Sequence, residues 1–241
     1  RACDVVQQNS PAVGVVDDFK DRARAAVEAG AKLICIDVAH GHHILMKEAI
    51  TSIRKVLPNV HIMAGNVATL EGFNDLADWG ADSIRCNIGG GSICTTRVQT
   101  GHGVPGLETI FQCAKSDRNA KIIADGGLKN SGDIVKALAA GADAVMLGSL
   151  LAGTDCSPGT IFKTETGELR KTYRGMASAA AQKDWRGRVA SCEGVSSSVP
   201  YRGKLADVIR ELERGIRSGL SYSGARSVKE LQAKAQWLQQ S

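Results

Sequence analysis

The segment "KIIADGGLKNSGDIVKALAAGADAVMLGS", residues 121–149, contains a strand, a helix and a second strand in succession. Its two ends, "KIIADGG" and "AVMLGS", are short apolar runs that finish in glycine and polar residues. Between them, "SGDIVKALAAGA" places apolar residues three and four positions apart, which is typical of an amphipathic helix. Two strands joined by a helix run parallel in one sheet, so this segment predicts an α/β fold.

The same unit recurs along the first 150 residues. The six apolar runs are "AVGVV" (12–16), "KLICIDV" (32–38), "HIMAGNVA" (61–68), "SIRCNIG" (83–89), "KIIADGG" (121–127) and "AVMLGS" (144–149). The helical patterns between the earlier runs include "DDFKDRARAAVEAGA", "HHILMKEAITSIRKVL" and "TLEGFNDLADWGA". Near-continuous apolar strands predict a parallel sheet that is covered by helices on both faces.

Polar and glycine residues follow successive strands at their carboxyl ends. They are Asp37, Asn66, Gly89–Gly91, Asp125–Gly127 and Gly148–Ser149. Barrel enzymes place the active site on that face, which favours a (β/α)₈ TIM barrel over an open doubly wound sheet. Six units are visible, so we expect the first two βα units of the barrel to be missing from the chain as given and to precede Arg1. We interpret residues 1–241 as a single, partial catalytic barrel domain that includes a flap and C-terminal segment at 152–241.

The composition excludes several classes of protein. Aromatic residues are 4% of the chain, and the net charge of +5 is spread along it, which argues against a nucleic-acid-binding protein. No apolar run approaches the roughly 20 residues that cross a bilayer, and the chain shows no secretion signal, so we expect no membrane association and a cytoplasmic location. The seven cysteines show no paired spacing and predict reduced thiols rather than a disulfide framework.

The pattern changes after Ser149. Residues 152–203 are polar with little sustained periodicity, which predicts a functional loop or a disordered segment. The closing part is helical again, and we expect glycines near 215 to 224 to interrupt it.

Two late glycine turns, "ADGGLKNSGD" (124–133) and "MLGSLLAG" (146–153), predict a phosphate site because exposed main-chain amides bind anions. The alternative is that these glycines only form tight turns. Asp125 could accept hydrogen bonds from sugar hydroxyls, cap a helix or bind a metal. The "HGHH" segment at 40–43 fits either a metal site or a solvated loop.

The segment "GGGSICTTR" at 89–97 raises the question of a nucleophile. Cys94 follows a glycine-rich turn, and Arg97 with the surrounding amides would favour a thiolate. The hydroxyls of Thr95 and Thr96 could relay a proton. From the residues alone, a nucleophilic Cys94 and a buried structural thiol remain equally open.

Five motifs resemble one known family, that of the IMP dehydrogenases and GMP reductases. They are "GNVAT" (65–69), "GGGSICTTR" (89–97), "ADGGLKNSGDIVKALAAGADAVMLGSLLAGT" (124–154), "YRGMAS" (173–178) and "EGVSSSVPYRG" (193–203). Their order and spacing match across nearly the whole chain. The resemblance implies a (β/α)₈ barrel, usually tetrameric, that binds a purine nucleotide and a nicotinamide cofactor.

The resemblance also assigns roles. It implies that Cys94 attacks C2 of the purine, with Thr96 and Glu193 as further catalytic residues. The implied substrate-binding residues are Ser92, Asp125, Gly127, Gly148, Ser149, Tyr173, Gly175 and Met176. The implied cofactor-binding residues are Asp37, Asn66 and Arg85. The implied ligands of a monovalent cation, K⁺, are the carbonyl oxygens of Gly89, Gly91 and Cys94.

The short stretch "AAAQKDWRGRVA" at 179–190 separates the two activities of the family. It is too short for the hydrolytic flap of the dehydrogenase and lacks its Arg-Tyr pair. Thr100 and Gly101 also resemble the reductase pattern, whereas "YRGMAS" and "GSLLAGTDCSPG" resemble the dehydrogenase. We therefore expect an NADPH-dependent GMP reductase that forms a thioimidate on Cys94. The alternatives are an NAD-dependent IMP dehydrogenase and a catalytically silent nucleotide-binding relative.

Overall fold

The computed structural model describes residues 11–187, 189 and 193–238. The strands in this part of the chain are β1 (Ala12–Val13), β2 (Leu33–Asp37), β3 (His61–Val67), β4 (Ser83–Cys86), β5 (Lys121–Asp125), β6 (Ala144–Met146), β7 (Ile161–Lys163), β8 (Leu169–Arg174) and β9 (Ser196–Pro200). The helices are α1 (Phe19–Glu28), α2 (Ile44–Val56), α3 (Leu70–Asp78), α4 (Thr96–Thr100), α5 (Gly106–Cys113), α6 (Ser131–Ala139), α7 (Ser149–Ala152), α8 (Ala179–Arg186), α9 (Leu205–Tyr222) and α10 (Val228–Lys234).

The first six strands form one sheet in chain order, β1 to β6. Neighbouring strands from β1 to β5 pair in parallel, with Leu33 opposite His61 and Ser83 opposite Lys121. Helices connect these strands, as parallel pairing requires. The α/β class and the six strands predicted from the apolar runs are confirmed.

Side-chain caps help to set where the helices begin. The Thr69 hydroxyl accepts a hydrogen bond from the Gly72 amide at the start of α3. The Asn130 side chain accepts one from the Asp133 amide at the start of α6. Each cap satisfies an amide that has no partner inside the helix. Both helices therefore begin directly after the carboxyl end of a strand and its turn, where the sequence places its polar residues.

The chain divides into two compact units. The first unit comprises Arg1–Ile88, Val104–Ala124 and Ala142–Ala144, and its core includes Ile36 and Phe73, neither of which is exposed. The second unit comprises Gly89–Gly103, Asp125–Gly141 and Val145–Ser241. The buried core of the second unit consists of Ile134, Leu138, Leu150, Ala225 and Leu231.

The segment from 152 to 203 contains regular structure, so the expectation of a loop or a disordered segment is wrong. It contains a three-stranded antiparallel sheet in the order β7, β8, β9, together with helix α8. Every residue of β7 is exposed, and the buried residue of β8 is Lys171 rather than an apolar side chain. The strands therefore lack the apolar alternation by which strands are recognised in a sequence.

Helix α9 continues through Gly215 and Gly219, so these two glycines do not break it as expected. A Cβ atom at Gly215 would lie 2.1 Å from the Ser131 Oγ, and one at Gly219 would lie 2.6 Å from a Val135 Cγ. The glycines thus allow α9 to pack closely against α6. The helix ends instead just before Gly224, whose φ is +60°.

Among the described residues, Cys35, Cys86, Cys94 and Cys113 are reduced cysteines outside any disulfide. Cys156 is disulfide-bonded, which corrects the expectation that all the cysteines are reduced. Whether two cysteines can bond depends on their separation in the fold, which sequence spacing does not reveal. Cys3 and Cys192 lie outside the described residues.

Within the described residues, the helices are all too short or too polar to cross a membrane.

Candidate active site

Three of the predicted catalytic groups form a hydrogen-bonded chain in the second unit. Cys94 lies just before α4, and Thr96 is the first residue of that helix. The Cys94 Sγ is 3.2 Å from the Thr96 Oγ1, and the Thr96 hydroxyl donates to the Glu193 Oε2 at 2.7 Å. Thr96 is buried, whereas Cys94 and Glu193 are partly exposed. The thiol, the hydroxyl and the carboxylate are therefore aligned in that order.

The direction of proton donation along this chain follows from the number of protons on each group. A threonine hydroxyl has one proton to donate. Because Thr96 donates that proton to Glu193, the thiol of Cys94 must be the donor in its contact with Thr96. The thiol proton therefore points along a path that ends at a carboxylate, an arrangement that can generate a thiolate.

Main-chain pairing places Glu193 beside Thr96. Cys94 and Gly194 form an antiparallel bridge. The Thr95 amide donates to the Glu193 carbonyl at 2.9 Å, and the Val195 amide donates to the Ile93 carbonyl at 3.1 Å. These bonds join two segments almost a hundred residues apart in sequence. Segment 193–195 thus pairs with residues 93–95 as a short antiparallel strand would.

Gly194 was not among the predicted site residues, although the structure gives it a defined role. It also forms a parallel bridge with Ser178, and a Cβ atom at Gly194 would lie 2.8 Å from the Ser178 amide nitrogen. Real Cβ atoms do not approach that closely, so a larger residue would displace this segment and Glu193 with it. The available sequence signal was a glycine directly after a candidate catalytic acid.

A second group of predicted residues surrounds the Tyr173 hydroxyl. Tyr173 lies on β8 and is hydrogen-bonded to the Ser92 side chain. A Cβ atom at Gly148 would lie 2.7 Å from the Tyr173 hydroxyl oxygen, so only glycine fits there without a shift. Burial raises the pKa of Tyr173 above its ordinary value of 10.0; the hydrogen bond with Ser92 opposes this, and the charge of Asp125 adds to it. Tyr173, Ser92, Gly148 and Asp125 are therefore neighbours.

The remaining predicted substrate residues lie in the same unit. Gly127 follows Gly126 in the turn after β5, and Ser149 is the first residue of α7. Met176 is 64% exposed, and Gly175 lies against Ile93, because a Cβ atom at Gly175 would lie 3.4 Å from the Ile93 side chain. All eight predicted substrate residues thus belong to the unit that carries the cysteine.

The predicted cation ligands lie in a single turn that meets the turn after β5. The Gly91 carbonyl accepts a hydrogen bond from the Cys94 amide at 3.1 Å, and a Cβ atom at Gly126 would lie 3.2 Å from the Gly91 nitrogen. A carbonyl oxygen has two lone pairs, so Gly91 retains acceptor capacity for a cation. Within the described part of the chain, no group of three or more His, Cys, Asp and Glu side chains could hold a metal. The Gly91 carbonyl is thus able to bind a cation that main-chain oxygens hold.

The histidine segment does not form such a side-chain metal group. The His42 Nε2 is 2.9 Å from the Asp75 Oδ2, and its ring lies near that of Trp79. His43 precedes α2, and burial together with His40 and His42 lowers its pKa. Of the two alternatives that the sequence left open for "HGHH", the structure therefore favours a polar loop.

The three predicted cofactor residues lie together in the first unit. The guanidinium of Arg85, which is 8% exposed, donates to the Asp37 Oδ1 at 2.8 Å and to the Cys35 Sγ at 3.3 Å. The Asn66 amide donates to the Asn87 carbonyl at 2.8 Å. Arg85 donates to one oxygen of Asp37, and a carboxylate has further lone pairs that can accept hydrogen bonds from hydroxyl groups. These residues fit the ribose hydroxyls and amide of a nicotinamide dinucleotide.

Arg97 has a position that the sequence did not suggest. A Cβ atom at Gly89 would lie 2.6 Å from the Arg97 Cγ, and one at Gly103 would lie 2.6 Å from its Nε. The arginine side chain therefore fills the space between these two glycines. It helps to shape the turn that precedes Cys94.

Comparison with known proteins identifies the family. Residues 7–241 match the IMP dehydrogenase / GMP reductase domain. The chain is 44% identical to inosine-5'-monophosphate dehydrogenase from Nitrosopumilus maritimus (strain SCM1), over 95% of this chain and 51% of that protein. It is 47% identical to the enzyme of the same name from Aquifex aeolicus (strain VF5), over 94% of this chain and 48% of that protein.

A solved structure gives a second view of the relationship. It is the crystal structure of a cysteine-to-alanine variant of GMP reductase from Trypanosoma brucei in complex with guanosine 5'-monophosphate. The TM-score is 0.88 at 43% identity, covering 92% of this chain and 48% of that one. The chain thus spans about half the length of the relatives it matches. The chain belongs to the IMP dehydrogenase and GMP reductase family.

Proposed function

We propose that the protein containing this chain is an NADPH-dependent GMP reductase, which converts GMP to IMP and ammonia through a thioimidate on Cys94. The observation that carries this proposal is the chain of hydrogen bonds from Cys94 through Thr96 to Glu193. A reaction that releases ammonia needs both a nucleophile for C2 and a proton donor for the departing amine. This chain of groups supplies both.

The proton path runs from the thiol to the carboxylate and back to the substrate. The Cys94 proton passes to the Thr96 hydroxyl as the hydroxyl proton passes to Glu193, which leaves a thiolate to attack C2. Glu193 then returns a proton through Thr96 to the amino group on C2, the bond from C2 to nitrogen breaks, and ammonia leaves. The purine stays bound to sulfur until C2 accepts a hydride and the thiolate departs.

The second unit holds the groups that would bind the nucleotide. Amides at Gly127, Gly148 and Ser149 would bind the phosphate, and Asp125 would accept hydrogen bonds from the ribose hydroxyls. Ser92, Tyr173, Gly175 and Met176 would complete the site. The contact of Tyr173 with Ser92 and with the Gly148 position supports this assignment.

The first unit holds the groups that would bind the cofactor. Asp37, Asn66 and Arg85 would hold NADPH, which supplies the hydride to the purine when bound. The ion pair between Arg85 and Asp37 supports this role because it orients the carboxylate that would bind a ribose. Carbonyl oxygens of Gly89, Gly91 and Cys94 would bind K⁺ and stabilise the cysteine turn.

We also propose that the six-stranded sheet belongs to a (β/α)₈ barrel, in a single catalytic domain that assembles as a homotetramer. The parallel order of the strands and the family match support the barrel. The family resemblance supports the tetramer.

IMP dehydrogenase is the second candidate, since the curated relatives at 44% and 47% identity bear that name. Helix α8, of eight residues, occupies much of the stretch between the "YRGMAS" motif and Glu193. That stretch leaves little room for a hydrolytic flap, which supports the reductase over the dehydrogenase.

The test incubates the full protein with GMP plus NADPH and, separately, with IMP plus NAD, and follows the absorbance of the reduced nicotinamide. The proposal predicts that NADPH absorbance falls with GMP and that ammonia appears in equal amount. A rise in absorbance with IMP and NAD, without a fall in the first reaction, would replace the reductase with the dehydrogenase. No change in either reaction would reject both activities.

A further inference from the structure

Strand β8 carries two side chains that face the same way and contact the same stretch of chain. Lys171 and Tyr173 are two positions apart, and such residues lie on one face of a strand. Both contact residues between 148 and 157, a stretch that contains α7 and that we name the α7 segment. Tyr173 lies against its first residue, Gly148.

Lys171 binds the other end of the α7 segment. Its side chain is buried, with 2% of the residue exposed, and its ammonium group donates to the Thr154 carbonyl at 2.6 Å and to the Ser157 carbonyl at 2.5 Å. An ammonium group pays a large desolvation cost when buried, and these carbonyl dipoles offset it. Lysine is rarely this buried without such a role.

Main-chain bonds from the end of β9 hold the same part of the α7 segment. The Asp155 amide donates to the Gly203 carbonyl at 2.8 Å, and the Arg202 amide donates to the Gly153 carbonyl at 2.8 Å. Tyr201 adds a hydrogen bond from its hydroxyl to the Asp155 carboxylate. The C-terminal end of the segment is thus held by residues from β8 and from the turn after β9.

We propose that Lys171 is a positioning residue for recognition of the substrate phosphate. By fixing the C-terminal end of the α7 segment while Tyr173 contacts its start, Lys171 holds Gly148 and Ser149 in the orientation that binds the phosphate. The inference rests on the proposed function, which assigns the phosphate to those two residues. Lys171 itself contacts the segment and acts through it.

The test compares the affinity of two ligands that differ only in the phosphate, GMP and guanosine, measured by calorimetry on the full protein. Lys171→Met keeps the length of the side chain and removes the ammonium donor. We expect GMP to bind about tenfold more weakly, the effect of losing roughly one hydrogen bond's net free energy, and guanosine to change less than about twofold. The KM for GMP should rise with little change in kcat.

Lys163→Met is the matched control, because Lys163 lies exposed on the neighbouring strand β7. It should leave both affinities unchanged. If Lys171→Met lacks a cooperative thermal transition, Tyr201→Phe takes its place, since it removes an exposed contact to the same segment. It should weaken GMP binding and leave guanosine binding unchanged, and unchanged GMP binding would overturn the inference.

Equal losses for GMP and guanosine would overturn the inference, because a purely structural lysine would affect both ligands alike. Unchanged GMP affinity in a folded Lys171→Met variant would also overturn it. If the unmodified protein binds GMP no better than guanosine, the phosphate site of the proposed function is rejected and the role of Lys171 is rejected with it, whereas the two outcomes above reject the role of Lys171 alone.

Discussion

In the first unit, apolar side chains of neighbouring strands and helices bury one another. In the second unit, hydrogen bonds between distant parts of the chain hold the predicted catalytic groups. Among the described residues, the largest fully buried side chains belong to the first unit, with two exceptions. The exceptions are Ile134 and Leu231 in the second unit. The second unit contains the bond from Thr96 to Glu193, across 97 positions of sequence. Most of the largest fully buried side chains thus lie in the first unit, and the hydrogen bonds that join the predicted catalytic groups lie in the second.

This difference predicts how the two units respond to substitution. Removing a buried apolar side chain costs stability through lost transfer energy and a cavity. Cys94 and Glu193 are partly exposed, so removing the thiol or the carboxylate should cost function with little loss of stability. Substitutions in the first unit should therefore lower the free energy of unfolding, and those at the polar chain of the second unit should lower the rate.

The largest expected effect is that of Cys94→Ala. Without the nucleophile, kcat with GMP and NADPH should fall at least about a thousandfold, while the melting temperature and GMP affinity stay near those of the unmodified protein. Stopped assays of ammonia release measure kcat, and calorimetry measures the melting temperature and the GMP affinity. The control is Cys86→Ala, at a fully buried reduced cysteine of the first unit, which should retain turnover and lose stability. Substantial turnover in Cys94→Ala would contradict the covalent route.

The next effect concerns stability. Phe73 on α3 has no exposed surface, and Phe73→Ala should lower the free energy of unfolding by about 3–5 kcal/mol. Denaturant unfolding measures this loss, and kcat per folded molecule should change less than about twofold. Val98→Ala in the second unit, at a residue 83% exposed, should change stability by less than about 0.5 kcal/mol. A similar loss in both variants would remove the distinction between the units.

Glu193→Gln should lower kcat by about a hundredfold, because the amide cannot accept and return the proton carried by Thr96. Thr96→Val should have a comparable effect. The double variant should be little slower than either single variant, since both changes interrupt one proton path. Glu168→Gln, at an exposed carboxylate of the same unit, is the control. Multiplicative losses in the double variant would mean that the two residues act separately.

The smallest effect is that of Tyr173→Phe. Loss of the hydroxyl should raise the KM for GMP about threefold to tenfold with kcat nearly unchanged. Burial raises the pKa of Tyr173 above 10.0, so the phenol stays protonated at lower pH. The ratio of kcat/KM between unmodified and variant protein should therefore be constant from about pH 6 to pH 9. A ratio that decreases between about pH 6 and pH 9 would show that the phenol ionises in that range.

The sequence predicted the repeating part of the molecule well. The runs that became β1 to β6 are apolar, and helices α1, α2, α3 and α6 show apolar residues at helical spacing, so local patterns were sufficient. The antiparallel sheet from β7 to β9 was missed, because its strands are short, polar and mostly exposed. Helix α9 was expected to break at Gly215 and Gly219, which instead allow close packing against α6.

The site shows the same limit. Motifs identified Cys94, Thr96 and Glu193 as candidates, and their resemblance to a family supplied their roles. The contacts among Tyr173, Ser92 and Gly148, and the role of Gly194 beside Ser178, became visible only once distant segments were paired. No local pattern marks Lys171 as buried, since lysine is ordinarily exposed.

The sequence by itself determined the α/β class, the six strands of the first sheet and the glycine turns at their carboxyl ends, because these depend on neighbours a few residues apart. Only the tertiary structure decided that the Cys94 thiol points toward Glu193 through Thr96, and that a buried ammonium group holds the α7 segment. Those facts depend on hydrogen bonds between segments far apart along the chain, and hydrogen bonds require distances and directions that a linear pattern does not contain.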